Sequence, residues 1–303
     1  MFRPGPWKKI NQQERPTIKL KSETLDQVFR KTAGRLSFSS CPFIEARLLI
    51  QLAGRLDENQ FYHQLNSPVS GRLLRRLESL IERRQAGWPM AYLQGKKEFW
   101  SLEFKVNRQV LIPRPETELL VEKILSLPLS PRPCLLDVGT GCGNLAIALA
   151  HELPRAKIIG SDLFKRTLRV AEENARRHNL KNVRFIQSDL LEHFLKRKQR
   201  FEVIVSNPPY VAEDSWQHLA RPVRDFEPRK ALVAGPTGLE IISRLIDQAS
   251  QCLVPGGYLV FEFGAGQEER LKNLFGPGWD ELEILKDYSG LPRVASIAWR
   301  GKS

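Results

Sequence analysis

The 303-residue sequence has few residues of the kinds that bind metals or form disulfides, with only 4 cysteines and 5 histidines. The cysteines are mostly far apart and never form the C-x-x-C spacing of a zinc or redox site. The histidines form no metal-ligand pattern either. We therefore expect reduced thiols in a cytoplasm-like compartment and no metal site.

Long apolar runs are also missing from the sequence. No segment reaches the roughly 18–20 apolar residues that a bilayer span requires, and the N-terminus lacks the apolar stretch of a secretory signal. Residues 1–21 are instead basic, contain several prolines and include one acidic residue, Glu14. This tail fits an organellar transit peptide or a disordered basic extension, and we favour the disordered extension.

Positive charge is present in excess, with a formal net charge of +13. Such a surplus attracts polyanions and speeds encounter with them. The basic runs are spread over several segments, so solvated helix faces explain any single run. The total charge indicates work near nucleic acid or ribosomes without establishing contact.

The N-terminal third predicts a small helical domain over residues 22–87. Apolar residues recur at helical spacing from Leu25, from Ile44 and from Leu73, which predicts three amphipathic helices. Residues 88–113 then alternate and carry aromatics, which indicates a hairpin linker.

Residues 114–303 predict an α/β domain, because short apolar strands alternate with helical segments. This alternation is typical of a parallel sheet covered by helices on both faces. The last two strands are close enough in sequence to form an antiparallel pair. The predicted strands lie at 134–138, 157–162, 183–187, 201–206, 258–263, 281–287 and 294–300.

A glycine-rich turn follows the first of these strands. Its sequence, Asp137-Val-Gly-Thr-Gly-Cys-Gly143, lets the backbone turn sharply and approach a ligand closely. The spacing differs from the G-x-G-x-x-G of dinucleotide sites, and no Lys-Ser/Thr pair follows as in a phosphate loop. A purely structural turn stays open as an alternative. The candidate cofactor-binding residues in the turn are Gly139, Thr140, Gly141, Cys142 and Gly143.

Two acidic residues end the next two strands. Asp162 follows the glycines by about 20 residues, where a carboxylate can accept both hydroxyls of a ribose. Asp189, followed by Leu190, is a candidate for contact with an adenine. Helix capping is the alternative role for each carboxylate. A glycine turn with Asp162 also fits a nicotinamide cofactor.

The fourth strand is followed by Asn207-Pro-Pro-Tyr210, which distinguishes these cofactors. An amide nitrogen is a poor nucleophile, so its alkylation depends on geometry. The side-chain oxygen of Asn207 and the main-chain oxygen of Pro208 can each accept one N–H of a planar NH2 group, aiming it at an activated methyl group. Pro208 and Pro209 stiffen the loop, and Tyr210 can stack on the amide. The alternative is a simple Asn-Pro turn.

These segments resemble the class I methyltransferases that carry Asn-Pro-Pro-Tyr, and within them the bacterial release factor glutamine methyltransferases. The resemblance covers about 22–303 and includes further motifs. They are Ile44-Glu-Ala-Arg-Leu-Leu49, Pro89-Met-Ala-Tyr-Leu-Gln-Gly95, Glu98-Phe-Trp100, Ile112-Pro-Arg-Pro-Glu-Thr-Glu118, Phe226-Glu-Pro228 and Pro255-Gly-Gly257.

The resemblance implies S-adenosylmethionine as cofactor and the glutamine of the release factor Gly-Gly-Gln loop as substrate. It implies that the Asn207 segment binds the glutamine, that Asn207 also contacts the cofactor, and that Leu190 lies by the adenine. Arg114 and Glu116 are expected near the cofactor, unless an internal Arg–Glu pair merely fixes the hairpin. Phe99 is a candidate for packing over the methionine end, although a core position is favoured.

Two other enzymatic functions stay open, together with a non-catalytic scaffold that keeps cofactor binding. An adenine amino-methyltransferase acting on DNA or RNA fits the basic charge, but it has to flip its target base. The segment after Asn207-Pro-Pro-Tyr210 leaves little room for a base-recognition region. A ribosomal protein glutamine methyltransferase is the second alternative. Intact Asn207 and both prolines argue against the scaffold.

Overall fold

The computed structural model describes residues 23–301, so the basic tail predicted over 1–21 lies outside the described residues. The chain divides into two compact units, with the boundary between Glu82 and Arg83. The hairpin predicted to link two domains lies within the second unit. Within residues 23–301, no helix has the length and apolar character needed to cross a bilayer.

The first unit is helical, as the apolar spacing predicts. Thr24 forms a capping box with Gln27 at the start of the first helix, and the Ser70 hydroxyl accepts the Leu73 N–H at 3.3 Å. One helix was not predicted from the sequence, although Asp57 and Gln60 form a capping box at its start. The helices are α1 (Leu25–Arg35), α2 (Pro42–Gly54), α3 (Glu58–His63) and α4 (Gly71–Gln85), which continues past the boundary.

The second unit begins with a short helix and a two-stranded hairpin. These elements are α5 (Met90–Gln94), β1 (Lys96–Phe99) and β2 (Leu102–Lys105), and the two strands pair antiparallel. The turn between them contains Trp100 at φ 52° and Ser101 at φ 56°. The hairpin covers residues 96–105, which is a shorter stretch than the hairpin linker predicted over 88–113.

The rest of the second unit is built around a seven-stranded sheet. The elements are α6 (Glu118–Leu125), β3 (Cys134–Val138), α7 (Asn144–Glu152), β4 (Lys157–Asp162), α8 (Lys165–Arg177), β5 (Val183–Gln187), α9 (Glu192–Lys196), β6 (Phe201–Ser206), β7 (Val211–Ala212), α10 (Arg221–Phe226), β8 (Val233–Gly235), α11 (Glu240–Cys252), β9 (Leu253–Glu262), α12 (Glu268–Lys272), β10 (Glu283–Lys286) and β11 (Pro292–Trp299). The strand order in the sheet is β10-β11-β9-β6-β3-β4-β5. Strands β9, β6, β3, β4 and β5 are mutually parallel, and β11 runs antiparallel to both of its neighbours. Strands β7 and β8 pair separately.

Each central strand contributes side chains to two apolar clusters. In β6, Val203 and Val205 belong to the first cluster, whereas Ile204 belongs to the second. In β3, Leu135 and Leu136 divide in the same way. Burial on both faces explains why these strands are almost continuously apolar in sequence. The sheet and the helical N-terminal unit confirm the predicted fold class.

Asn174 on α8 connects the hairpin to the glycine turn. Its side chain is fully buried. Its oxygen accepts the Lys105 N–H at 2.8 Å, and its amide nitrogen donates to the carbonyls of Lys105 and Cys142 at 3.1 and 2.8 Å. One side chain thus satisfies three backbone groups in two other segments.

We predict that Asn174→Ala lowers the free energy of unfolding by at least about 2 kcal/mol, because each buried group left unpaired costs about 1–3 kcal/mol. Guanidinium unfolding measures the loss. Asn273→Ala is the matched control: Asn273 is exposed, so its change should stay within about 0.5 kcal/mol. Equal stabilities of the two variants would contradict this role of Asn174.

Candidate active site

The glycine turn between β3 and α7 leaves room for a ligand at two of its three glycines. All three have left-handed backbone, with φ of 73° at Gly139, 57° at Gly141 and 86° at Gly143. A Cβ added at Gly139 would meet nothing within 4 Å, and one at Gly141 only the Gly139 oxygen at 3.9 Å. A Cβ at Gly143 would lie 3.1 Å from the Ala171 Cβ of α8. Gly143 therefore allows close packing of α7 on α8, and contact of its backbone with the cofactor stays a prediction.

The other two turn residues are buried and hold the turn together. The Thr140 hydroxyl donates to Asp137 Oδ2 at 2.6 Å, and the same oxygen accepts the Ala146 N–H of α7 at 3.2 Å. Burial raises the pKa of Asp137 to about 7. Cys142 is 1% exposed and burial raises the pKa of its thiol to about 12. The thiol is therefore an inert core group.

Asp162 ends β4, beside the glycine turn. Its Oδ2 accepts the Gly141 N–H at 3.2 Å and its Oδ1 accepts the Phe164 N–H at 3.0 Å. Burial raises the pKa of this carboxyl group. An ionised carboxylate has about four acceptor positions, so both oxygens retain capacity for further donors such as ribose hydroxyls.

Asp189 and Leu190 follow β5, the next strand in the sheet. The Asp189 carboxylate forms an ion pair with Arg244 of α11 at 3.2 Å, so one of its oxygens is already engaged. Leu190 has a left-handed backbone with φ 44°, which is unfavourable for a residue with a Cβ, and it packs against the second apolar cluster. Backbone strain of this kind often occurs at ligand sites. Adenine contact stays a prediction for both residues.

The Asn207-Pro-Pro-Tyr210 segment leaves the carboxyl end of β6, which lies between β3 and β9. Asn207 Nδ2 donates to Thr117 Oγ1 at 3.0 Å, and the Tyr210 hydroxyl donates to Glu262 Oε1 at 2.9 Å. Among residues 23–301, neither Asn207 Oδ1 nor the Pro208 carbonyl oxygen accepts a hydrogen bond. These are the two oxygens that the sequence assigned to a planar NH2 group.

Arg114 forms its ion pair outside its own segment. Its guanidinium bonds to the buried carboxylate of Glu227, which also accepts the Ile112 N–H at 3.1 Å. Glu116 is exposed. The pair thus fixes the backbone of the Ile112–Glu118 segment, and Arg114 also lines an open cleft of about 460 Å³. Cofactor contact by Arg114 or Glu116 stays a prediction.

Phe99 is 1% exposed and meets Phe104 edge-on, with ring centroids 6.2 Å apart. It belongs to the first apolar cluster. This burial leaves almost no ring surface for a ligand, which favours the core position over contact with a methionine end.

Sequence reasoning missed two polar residues that contact the Asn207 segment, namely Thr117 and Glu262. Thr117 lies within the quoted Ile112–Glu118 motif, and Glu262 is the last residue of the apolar strand β9. A charged residue ending a buried strand at the ligand-binding edge of a parallel sheet was a usable signal. Within the part of the chain that the structure describes, no group of three or more His, Cys, Asp or Glu residues is arranged to hold a metal ion.

The open space at Gly139 and Gly141 allows S-adenosylmethionine to lie against the glycine turn. The free acceptor positions of Asp162 fit the ribose hydroxyls of this cofactor. The strand order with one reversed strand and the Asn-Pro-Pro-Tyr turn complete the pattern. Fold and site together define a class I S-adenosylmethionine-dependent methyltransferase.

Comparison with known proteins identifies the family. Residues 133–274 match the model of a methyltransferase domain, and residues 27–95 match that of the PrmC N-terminal domain. The release factor glutamine methyltransferase of Buchnera aphidicola is 38% identical, with 88% of this chain and 95% of that protein covered. The Coxiella burnetii release factor glutamine methyltransferase is also 38% identical, over 87% of this chain and 94% of that protein.

The chain therefore belongs to the release factor glutamine methyltransferase family. Among solved structures, the hMettl16 catalytic domain in complex with MAT2A 3'UTR hairpin 6 is similar in fold, with a TM-score of 0.52 at 16% identity. That similarity covers 67% of this chain and 77% of the other. It supports the fold alone.

We predict that Asp162→Ala weakens S-adenosylmethionine binding by about 1.5–3 kcal/mol, the contribution of hydrogen bonds to a charged group. Isothermal titration calorimetry measures the affinity, and the thermal midpoint reports any loosening of the turn. Asp247→Ala on the exposed side of α11 is the matched control, and its affinity should equal that of the wild type. An unchanged affinity in Asp162→Ala would remove Asp162 from the cofactor site.

Proposed function

We propose that the protein transfers a methyl group from S-adenosylmethionine to the side-chain amide nitrogen of the glutamine in the Gly-Gly-Gln motif of peptide chain release factors. The relatives that span most of the chain are named for release factor glutamine methylation, which favours this substrate over adenine or a ribosomal protein. The N-terminal match to the same family's domain points in the same direction.

One observation carries the proposal: two acceptor oxygens in a rigid turn are free to take two N–H bonds. Asn207 Oδ1 and the Pro208 carbonyl oxygen have no hydrogen-bond donor among residues 23–301. Pro208 and Pro209 restrict the backbone, so the spacing of these oxygens varies little. A primary amide offers two N–H donors in one plane, and the pair of acceptors matches them.

The chemistry asked of these residues is mainly positioning. S-adenosylmethionine, when bound, supplies an activated methyl group. Asn207 and Pro208 hold both N–H bonds of the glutamine amide, which fixes the amide plane and leaves the π face of the nitrogen open to the activated methyl group. Fixing this geometry lowers the entropic part of the activation barrier, because the reacting groups are already oriented when both are bound. No strong base is required for the attack, because the proton can leave the nitrogen afterwards.

We assign release factor recognition to the helical segment over 22–87. An open cleft of about 420 Å³ in the first unit is lined by Arg55, Arg72 and Arg76. Such a cleft attracts acidic side chains on a partner. Work near the ribosome and a cytoplasmic location are parts of the same proposal, since the family's substrate acts in the ribosomal peptidyl transferase centre.

We predict that Asn207→Ala lowers methyl transfer by roughly 100-fold or more, because misplacing a reacting group costs about that factor. The assay supplies labelled S-adenosylmethionine with release factor, with a Gly-Gly-Gln peptide, or with DNA. The wild-type protein should label release factor and leave DNA unlabelled.

Asn273→Ala, an exposed change in the same unit, should label release factor at the wild-type rate. Full turnover by Asn207→Ala would reject the role of Asn207. Label in DNA and none in release factor would reject the proposed substrate.

A further inference from the structure

A hydrogen-bonded network centred on two buried side chains, Thr117 and Glu262, connects the Asn207 segment to the end of β9. Asn207 Nδ2 donates to Thr117 Oγ1 at 3.0 Å, and the Thr117 hydroxyl donates to Glu262 Oε2 at 2.7 Å. The other oxygen of Glu262 accepts the Tyr210 hydroxyl at 2.9 Å. Glu262 therefore contacts both ends of the Asn-Pro-Pro-Tyr turn, directly or through Thr117.

Water has almost no access to Thr117 and Glu262, which lie at the centre of this hydrogen-bonded network. Thr117 and Glu262 are each 1% exposed. In a buried site, a hydrogen bond that is broken is not replaced by one to solvent, so the arrangement of donors and acceptors is strongly held.

The arrangement has only one polarity when Glu262 is ionised. A carboxylate has no proton to donate, and a threonine hydroxyl has only one. The Thr117 proton is therefore committed to Glu262, and the lone pairs of Thr117 are left to accept. Only the NH2 side of the Asn207 amide can satisfy them.

We propose that Glu262 and Thr117 are positioning residues that set the orientation of the Asn207 amide, so that its oxygen and not its nitrogen faces the substrate glutamine. This inference rests on the proposed function. If the Asn207 amide were turned by 180°, its NH2 group would face the NH2 group of the glutamine. The substrate nitrogen would then lose one of its two hydrogen-bond acceptors.

The surroundings of Glu262 act on its pKa in opposite directions. Burial raises the pKa of Glu262, and nearby Glu116 acts in the same direction. The hydroxyls of Thr117 and Tyr210 and the positive charge of Arg293 oppose this rise. The two donated hydrogen bonds thus stabilise the carboxylate and are themselves oriented by it.

The test compares Thr117→Val, which removes the hydroxyl at nearly constant shape, with Thr117→Ser, which keeps it. Glu262→Gln replaces an acceptor-only group by one that also donates. Thr167→Val is the matched control, because Thr167 is also buried, at 4% exposure, and its hydroxyl donates to the Gln109 carbonyl at 3.3 Å.

We predict that Thr117→Val and Glu262→Gln lower kcat on release factor by roughly 10- to 100-fold, the scale of a misoriented reacting group. The Kd for S-adenosylmethionine, measured by calorimetry, should change by a much smaller factor than kcat. Thr117→Ser should recover most of the turnover, and Thr167→Val should lose none. Wild-type kcat in Thr117→Val, or an equal loss in Thr167→Val, would overturn the inference.

A second measurement does not depend on turnover. In protein labelled with ¹⁵N-asparagine, the side-chain NH2 signal of Asn207 is identified by its absence in Asn207→Ala. This signal should shift in Thr117→Val and stay in place in Thr167→Val. If the wild-type protein fails to methylate release factor, the proposed function fails, and an unmoved Asn207 signal in Thr117→Val separately rejects the hydrogen-bonded network.

Discussion

Parallel pairing of neighbouring strands is the constraint on which the site depends. Val138 of β3 lies opposite Ser206 of β6 and next to Ser161 of β4, so the turns after these three strands start at the same level of the sheet. The glycine turn, Asp162 and Asn207 therefore share one edge despite their separation in sequence. A shift of one residue would turn every side chain of a strand to the opposite face. Register thus determines which residues can meet a common ligand.

The sheet could be predicted because its physical cause is local. Strands such as Cys134–Val138 are buried on both faces and must be apolar throughout, so they stand out between helical segments. The long helices were readable from spacing and caps for the same reason. The short helices α3 and α5 have 6 and 5 residues and show too little periodicity to be recognised. For α3, the capping box at Asp57 was the only local signal.

The site was predictable where its residues are contiguous, as in the glycine turn and the Asn207 segment. Its supporting contacts were not, because sequence distance does not encode spatial pairing. Arg114 pairs with Glu227, 113 residues away, rather than within its own motif, and Thr117 meets Glu262 across 145 residues. Sequence also treated the turn glycines alike, whereas the packing of α7 on α8 gives Gly143 a different role.

The surface and the site carry opposite electrostatic preferences. The chain has a net charge of +13, yet Asp137, Asp162 and Glu262 lie at or near the carboxyl ends of β3, β4 and β9. Burial raises the pKa of each. Keeping such groups ionised is unfavourable without a partner, and a nearby positive charge stabilises them. S-adenosylmethionine carries a sulfonium and an ammonium group, so this edge favours it over an anionic nucleotide of similar size. The net positive charge of the chain therefore does not determine the charge preference at this edge.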